Sequence, residues 1–228
     1  MSDQMDGINV LRSGVVDYHI MAQTMKDLQK KRIAGDIGDT LIFVQHPEVV
    51  TIGPKAVRDN VIVEGYPTSP TDRGGGITWH GPGQLVVYPI VKWDIEDQSI
   101  RGVIGRLEDW AIAALLECGI SAYKDEAMQG AWVDGHKICS IGLSFLHWVS
   151  RHGMSINIDT PENRVEGLEC CGIEAGMHTS LSRLGYVNDN EGLPLDVDRV
   201  EKSLILTCEE SLGRVPIGPV DWRPEMLV

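Results

Sequence analysis

Long apolar runs, paired cysteines and basic residues are what this 228-residue chain has least of. No stretch of roughly 18 apolar residues occurs, which excludes an ordinary membrane-spanning helix. The first residues are polar and lack the apolar core of a secretory signal, so a cytoplasmic location is expected. Five cysteines at irregular spacing do not make a disulfide framework, and reduced thiols are expected. There is no CxxC pair and no Cys/His quartet with zinc spacing, and no third ligand stands in register with His80 and His152, so no metal is expected. The net charge of −13 argues against general nucleic-acid binding. No internal repeat, low-complexity tract or linker divides the chain. One domain over residues 1–228 is expected, with its core at about 15–213.

The patterning that is present predicts a small set of elements. Tyr18, Met21, Met25, Leu28 and Arg32 recur at helical spacing, predicting an amphipathic helix from about Asp17 to Ile33. Thr40 to Gln45, Val49 to Ile52 and Leu85 to Ile90 read as strands. Val103, Ile104, Leu107, Ala111, Ala114, Leu115 and Cys118 predict a long helix stopped at Gly119. Asp134-Gly135 between two β-like runs predicts a two-residue hairpin turn. Met154 to Ile158 reads as a strand, followed by glycine-rich turns through Gly176. Val197, Val200, Leu204, Cys208 and Leu212 share one helical face, ended by Gly213. Hairpins without regular β/α alternation predict an α+β fold, with a mixed β-sheet packed by α-helices.

The most informative stretch is Asp72 to Pro89, DRGGGITWHGPGQLVVYP, which holds five glycines and two prolines and runs into an apolar β run. Glycine lets backbone approach a ligand closely and proline stiffens the path. The segment reads as a shaped, substrate-holding loop feeding a core strand; a plain turn-rich connection is the alternative.

Cys171 is the best nucleophile candidate. It lies in a loop and is followed by Gly172. A cysteine near a helix N-terminus or a cation becomes more acidic, and the thiolate is the reactive form. Most cysteines are buried filler, which fits Cys118, Cys139 and Cys208; Cys170 beside Cys171 leaves a redox pair open. Lys137 is the activator candidate. Its period-two partners Cys139, Ile141 and Leu143 are apolar, so its face is expected to point inward, and a thiolate would give such a lysine a partner. The alternative is a solvated lysine. His80 and His152 are candidate polar site groups.

Read together, several of these segments resemble the lipoyl(octanoyl) transferase family. The matching residues are Gln45-His46-Pro47, Thr71 to Gly75, Thr78 to Leu85, Lys137-Ile138, Ser140 to Gly142, His152-Gly153, Asn157, Cys171-Gly172 and Thr179 to Leu181. They run in family order from about residue 40 to 185. The chain departs from the family pattern at Gly53-Pro54-Lys55 and at Glu169-Cys170. The resemblance implies a single domain with the biotin/lipoate protein ligase fold. It implies Cys171 as the acyl-thioester nucleophile and Lys137 as its acid/base partner. It further implies an acyl-substrate site made of Arg73, Gly74, Gly75, Gly76, Ile77, Thr78, Trp79 and His80, with Ser140, Ile141 and Gly142, and with Gly153, Met154 and Ser155.

The implied activity moves an octanoyl group from octanoyl-acyl carrier protein to a lysine of lipoyl domains, those of 2-oxoacid dehydrogenase complexes and of the glycine cleavage H protein. Exchanging a thioester for an amide is downhill, so no cofactor and no ATP are expected, in line with the lack of a Walker-type loop. Neither nucleic acid nor membrane is expected as a partner. The rivals are an ATP-dependent lipoate–protein ligase, a relay enzyme moving octanoyl or lipoyl groups between proteins, a cysteine hydrolase and a non-catalytic acyl- or carrier-binding module. Lys26, Lys30, Lys31 and Arg32 form a basic cluster that reads as a solvated face, with carrier docking as its alternative.

Overall fold

Strands apolar at consecutive positions, rather than alternating ones, need cover on both faces, and this need organises the molecule. The computed structural model describes residues 7–94, 98–126, 128–168 and 177–226. Eleven strands and four helices are described: β1 Gly7–Val15, α1 Tyr18–Ala34, β2 Asp39–Gln45, β3 Val49–Ile52, α2 Pro54–Arg58, β4 Thr68–Pro70, β5 Ile77–His80, β6 Gln84–Ile90, α3 Ile100–Glu117, β7 Tyr123–Lys124, β8 Ala131–Val133, β9 His136–Leu146, β10 Val149–Asn157, α4 Val197–Leu212 and β11 Val215–Asp221. The main sheet runs β11-β1-β2-β6-β10-β9-β8-β7, and a small second sheet runs β4-β3-β5. In the main sheet β11, β1 and β2 pair in parallel, and the remaining pairs are antiparallel. The expected α+β fold with a mixed sheet is observed.

Residues of β2 and β6 divide between the two faces. Leu41, Phe43, Leu85 and Val87 pack against α3 and α4 through Leu107, Trp110, Val200 and Leu204. Ile42, Val44, Val86, Tyr88 and Ile90 pack against α1 through Met21, Met25 and Leu28. The helices begin where the chain offers a capping side chain. Asp17 accepts from His19 and Ile20 N–H, Ser99 from Gly102 N–H and Asp196 from Arg199 N–H, meeting donors that a helix leaves unpaired. The Asp134-Gly135 turn has φ of 49° at Asp134 and 81° at Gly135, the primed geometry a tight hairpin needs. No described helix is long and apolar enough to cross a membrane.

The structure differs from the sequence reading in three places. Within the glycine-rich stretch, Ile77 to His80 is strand β5, paired with β3, so the irregular parts are 72–76 and the turn at 81–83. The strand expected from Met154 starts at Val149, because β10 pairs with β9 from Val149 through Ile156. The terminal strands β1 and β11 had no sequence signal strong enough to name them; they pair with each other in parallel.

Asp39 locks the edge of this arrangement. It is 4% exposed and accepts from Arg32 Nε at 2.7 Å, Arg214 Nε at 2.7 Å and Lys92 N–H at 2.9 Å. A charge this deep is stable only while its partners stay. Asp39→Ala is expected to lower unfolding stability by about 3–5 kcal/mol, read from urea denaturation.

Candidate functional site

Where the small sheet meets the main one, loop 72–76 is pinned between strands. Gly74 N–H donates to Leu143 O of β9 at 2.8 Å, while Gly76 O and Gly75 O accept from Gly53 and Lys55 N–H of the α2 start. Arg73, 7% exposed, donates to Thr51 O at 3.0 Å, Thr51 Oγ1 at 2.8 Å and Gly74 O at 3.1 Å. The guanidinium therefore braces the loop against β3.

Two glycines permit the close approach. A Cβ on Gly142 would lie 2.9 Å from Gly74 O, and one on Gly153 would lie 1.9 Å from Val87 O. Any larger residue at 153 would force β10 away from β6.

The result is a pair of adjoining cavities. The first is lined by Arg73, Thr78, His80, Ser140, Ile141, Gly142, Gly153, Met154 and Ser155, together with Tyr18, Val86, Tyr88 and His152. The second is lined by Ile77, Thr78, Trp79, Gln84, Ser140, Asn157, Val165, Leu168 and His178. Thr78 and Ser140 border both. Nine of the expected acyl-site residues thus line the first cavity, and Ile77 and Trp79 line the second. Gly74, Gly75 and Gly76 line neither; they act through the backbone contacts described above. Cys171 and Cys170 lie outside the described residues.

The polar groups around these cavities are organised into chains. His46 Nδ1–H donates to Val16 O at 2.6 Å, which leaves its Nε2 to accept from Tyr88 O–H at 2.8 Å. His80 stacks on Tyr18 with ring centroids 6.0 Å apart, and its Nδ1–H donates to Gln84 Oε1 at 2.8 Å. Gln84 Nε2 donates onward to Asn157 Oδ1 at 2.8 Å and Asn157 Nδ2 to Thr179 O at 3.0 Å. On the rim, Asp72 accepts from Arg151 Nη2 and from His152 Nε2. Burial works to raise the Asp72 pKa, and the bonds from His152 and Arg151 outweigh it, leaving the carboxyl below its usual range.

Lys137 sits at the far end of the Gln84–Asn157 chain. Its N–H donates to Met177 O at 2.8 Å and its carbonyl accepts from Thr179 N–H at 3.3 Å, a parallel bridge to His178. It is 8% exposed, as the apolar surroundings suggested, but strict alternation is not the reason. Ala131 faces Cys139 while the next residue, Trp132, faces Lys137. Ile138 is therefore a bulge residue, and Ile138 and Cys139 both enter the core. Lys137 is covered instead by the 177–179 segment and by Gly130, where a Cβ would lie 2.7 Å from Lys137 Cε.

The three described cysteines, Cys118, Cys139 and Cys208, are free and buried. Burial raises all three thiol pKa values, Cys139 and Cys208 to about 12. They are filler, as expected. In the basic cluster, Arg32 is committed to Asp39 and Lys30 to Asp27.

The sequence reading did not assign Tyr18, Tyr88, Gln84, Asn157 or His178 to the cavity walls. Tyr88 carried a usable signal, since a phenol in the otherwise apolar run LVVYPI requires a partner once buried. Tyr18 carried none, because its helical spacing matched a core residue equally well.

The chain matches the family described as lipoyl protein ligase A/B catalytic domain over residues 17–205. It is 38% identical over 195 residues to the octanoyltransferase of Mycobacterium leprae, a match covering 80% of this chain and 82% of that one. Among solved structures, the bi-partite lipoate protein ligase from Thermoplasma acidophilum aligns with a TM-score of 0.64 at 16% identity, over 98% of this chain and 91% of that chain. The biotin protein ligase from Aquifex aeolicus aligns with a TM-score of 0.51 at 12% identity, over 92% of this chain and 70% of that one. At these identities the structural likeness speaks to the fold.

Burial dictates how the site responds to acid. It lowers the pKa of His46, His152 and His178 from 6.5 to about 4. These imidazoles are neutral in the fold but take up protons in the unfolded chain below pH 6.5. Stability is therefore complete above pH 6.5 and is lost as pH falls toward 4. Each contributes roughly 3 kcal/mol across the window. The expected result is acid unfolding between pH 6.5 and 4, followed by circular dichroism, with a shallower pH slope in His46→Gln.

Proposed function

Because the chain belongs to the lipoyl protein ligase A/B catalytic-domain family, we propose that it carries an octanoyl group from octanoyl-acyl carrier protein, through a thioester on Cys171, to the lysine amine of a lipoyl domain. Octanoyltransferase relatives match four-fifths of its length, and acyl transfer in protein lipoylation is the activity this family membership gives. The observation that carries the finer reading is Lys137. It is a buried lysine on β9, three residues from the cavity residue Ser140, with its backbone paired to the 177–179 segment.

Further support comes from the thiols. The described cysteines are too buried and too weakly acidic to serve, which leaves the Cys170-Cys171 pair. Cys171 is three positions from Leu168 and six from Met177 in sequence. Leu168 lines the second cavity, and Met177 accepts the Lys137 N–H.

The chemistry runs in two balanced steps. The Cys171 thiolate attacks the donor thioester carbonyl, backbone N–H groups hold the oxyanion, and the carrier thiolate leaves. Lys137 gives that thiolate a proton and becomes neutral. The acceptor amine then attacks the acyl-enzyme, Lys137 recovers a proton, the amide forms and the Cys171 thiolate is restored. The first cavity, walled by Val86, Ile141 and Met154, takes the acyl chain. Burying about seven CH₂/CH₃ groups at ~0.8 kcal/mol each contributes roughly 5 kcal/mol before the costs of binding. Residues 1–228 act as one catalytic domain in the cytoplasm. The acceptors are the lipoyl domains of 2-oxoacid dehydrogenase complexes and the glycine cleavage H protein.

Mixing the protein with octanoyl-acyl carrier protein is expected to add one octanoyl group to Cys171, located by peptide mass spectrometry. Activity without that adduct, dependent on ATP and surviving Cys171→Ser, would instead establish the ligase route. Lys137→Ala is expected to slow formation of the adduct roughly a hundredfold or more with the fold retained; an unchanged rate removes Lys137 from the mechanism.

A further inference from the structure

The second cavity adjoins the first through Thr78 and Ser140. Its walls are of two kinds. Ile77, Trp79, Val165 and Leu168 supply apolar surface, and Asn157 and His178 supply polar groups. Asn157 is already bonded to Gln84 and to Thr179 O. His178 is not so engaged: it is 6% exposed, and its Nδ1 is shut away from solvent with no hydrogen-bond partner among the described residues. A buried polar atom left unpartnered costs stability and calls for an explanation. The bridge to Lys137 puts this imidazole beside the lysine that cycles its proton.

Resting on the acyl-transfer reading, we propose that the second cavity is the subsite for the acceptor's primary amine, a lysine side chain, with His178 as the residue that receives its nitrogen. A lysine side chain is a four-carbon apolar stem ending in a nitrogen that only donates hydrogen bonds. The apolar walls suit the stem, and a neutral imidazole carries one lone pair to accept from the nitrogen. Burial, with a smaller effect from Lys137, keeps His178 neutral, so its ring can accept from the neutral amine that attacks the acyl-enzyme. The donor thioester, which has no such nitrogen at its reacting end, gains nothing from His178. The role is to hold and orient the amine; the proton released on amide formation goes to Lys137.

Two variants separate this from a structural role. His178→Leu removes the acceptor while keeping bulk, and His178→Gln keeps an acceptor oxygen. Octanoylation of Cys171 by octanoyl-acyl carrier protein is expected within about threefold of wild type in both. Single-turnover transfer from the acyl-enzyme to a lipoyl domain is expected to fall tenfold or more in His178→Leu and to recover to within about threefold in His178→Gln. The leucine variant is expected to melt no lower than wild type, because it removes an unpartnered buried atom. A leucine variant that slows octanoylation, or that transfers to the lipoyl domain at the wild-type rate, overturns the assignment. Absence of any acyl-enzyme in the wild-type protein is a different result and overturns the transfer reading beneath it.

Discussion

Two backbone hydrogen bonds, from Lys137 N–H to Met177 O and from Thr179 N–H to Lys137 O, are the join on which the site depends. They fasten the 177–179 segment onto the start of β9. Through them, Lys137 and His178 form a parallel backbone bridge. With them, a strand reaching from the hairpin turn to the cleft carries Lys137 at one point and Ser140 to Gly142 a few residues on. The bulge at Ile138 makes this possible. It lets two successive residues, Ile138 and Cys139, enter the core directly after Lys137.

A second constraint acts through polar side chains rather than backbone. His80, Gln84 and Asn157 form a buried relay that ends on Thr179 O. Every group in it has its donors and acceptors assigned in one consistent direction. Such a network holds its geometry because breaking any member strands another polar atom away from water. The relay connects the glycine-rich stretch to the same 177–179 segment that Lys137 grips, so the two walls of the second cavity are set against each other from both ends.

The buried imidazoles give the site its electrostatic character. His46, His152 and His178 are held neutral mainly by loss of water, and His80 is pushed the same way. His46, His80 and His152 serve as fixed hydrogen-bonding parts rather than as titrating acids. The fixed cation of the first cavity, Arg73, is spent on the backbone and hydroxyl of Thr51 and on Gly74 O; its work is to shape the loop. These features leave proton movement to Lys137 in the proposed reaction.

Much of this was legible in the amino-acid order, because local rules suffice for it. Helical spacing and capping residues located α1, α3 and α4 within a few residues, and Asp134-Gly135 specified its turn since few residues accept positive φ. Apolar runs identified β2 and β6, and the motif residues pointed to nine of the side chains and glycines around the first cavity. Other features required the folded chain. β1 and β11 have mixed, polar-interrupted sequences and exist as strands because a neighbour offers unpaired backbone. β5 lies among glycines and prolines and is drawn into extension by β3. The Ile138 bulge, the His178–Lys137 bridge and the roles of Tyr18, Gln84 and Asn157 arise between segments far apart in sequence. Composition and periodicity report the preferences of neighbouring residues; which distant backbone groups satisfy one another is decided only when the sheet closes.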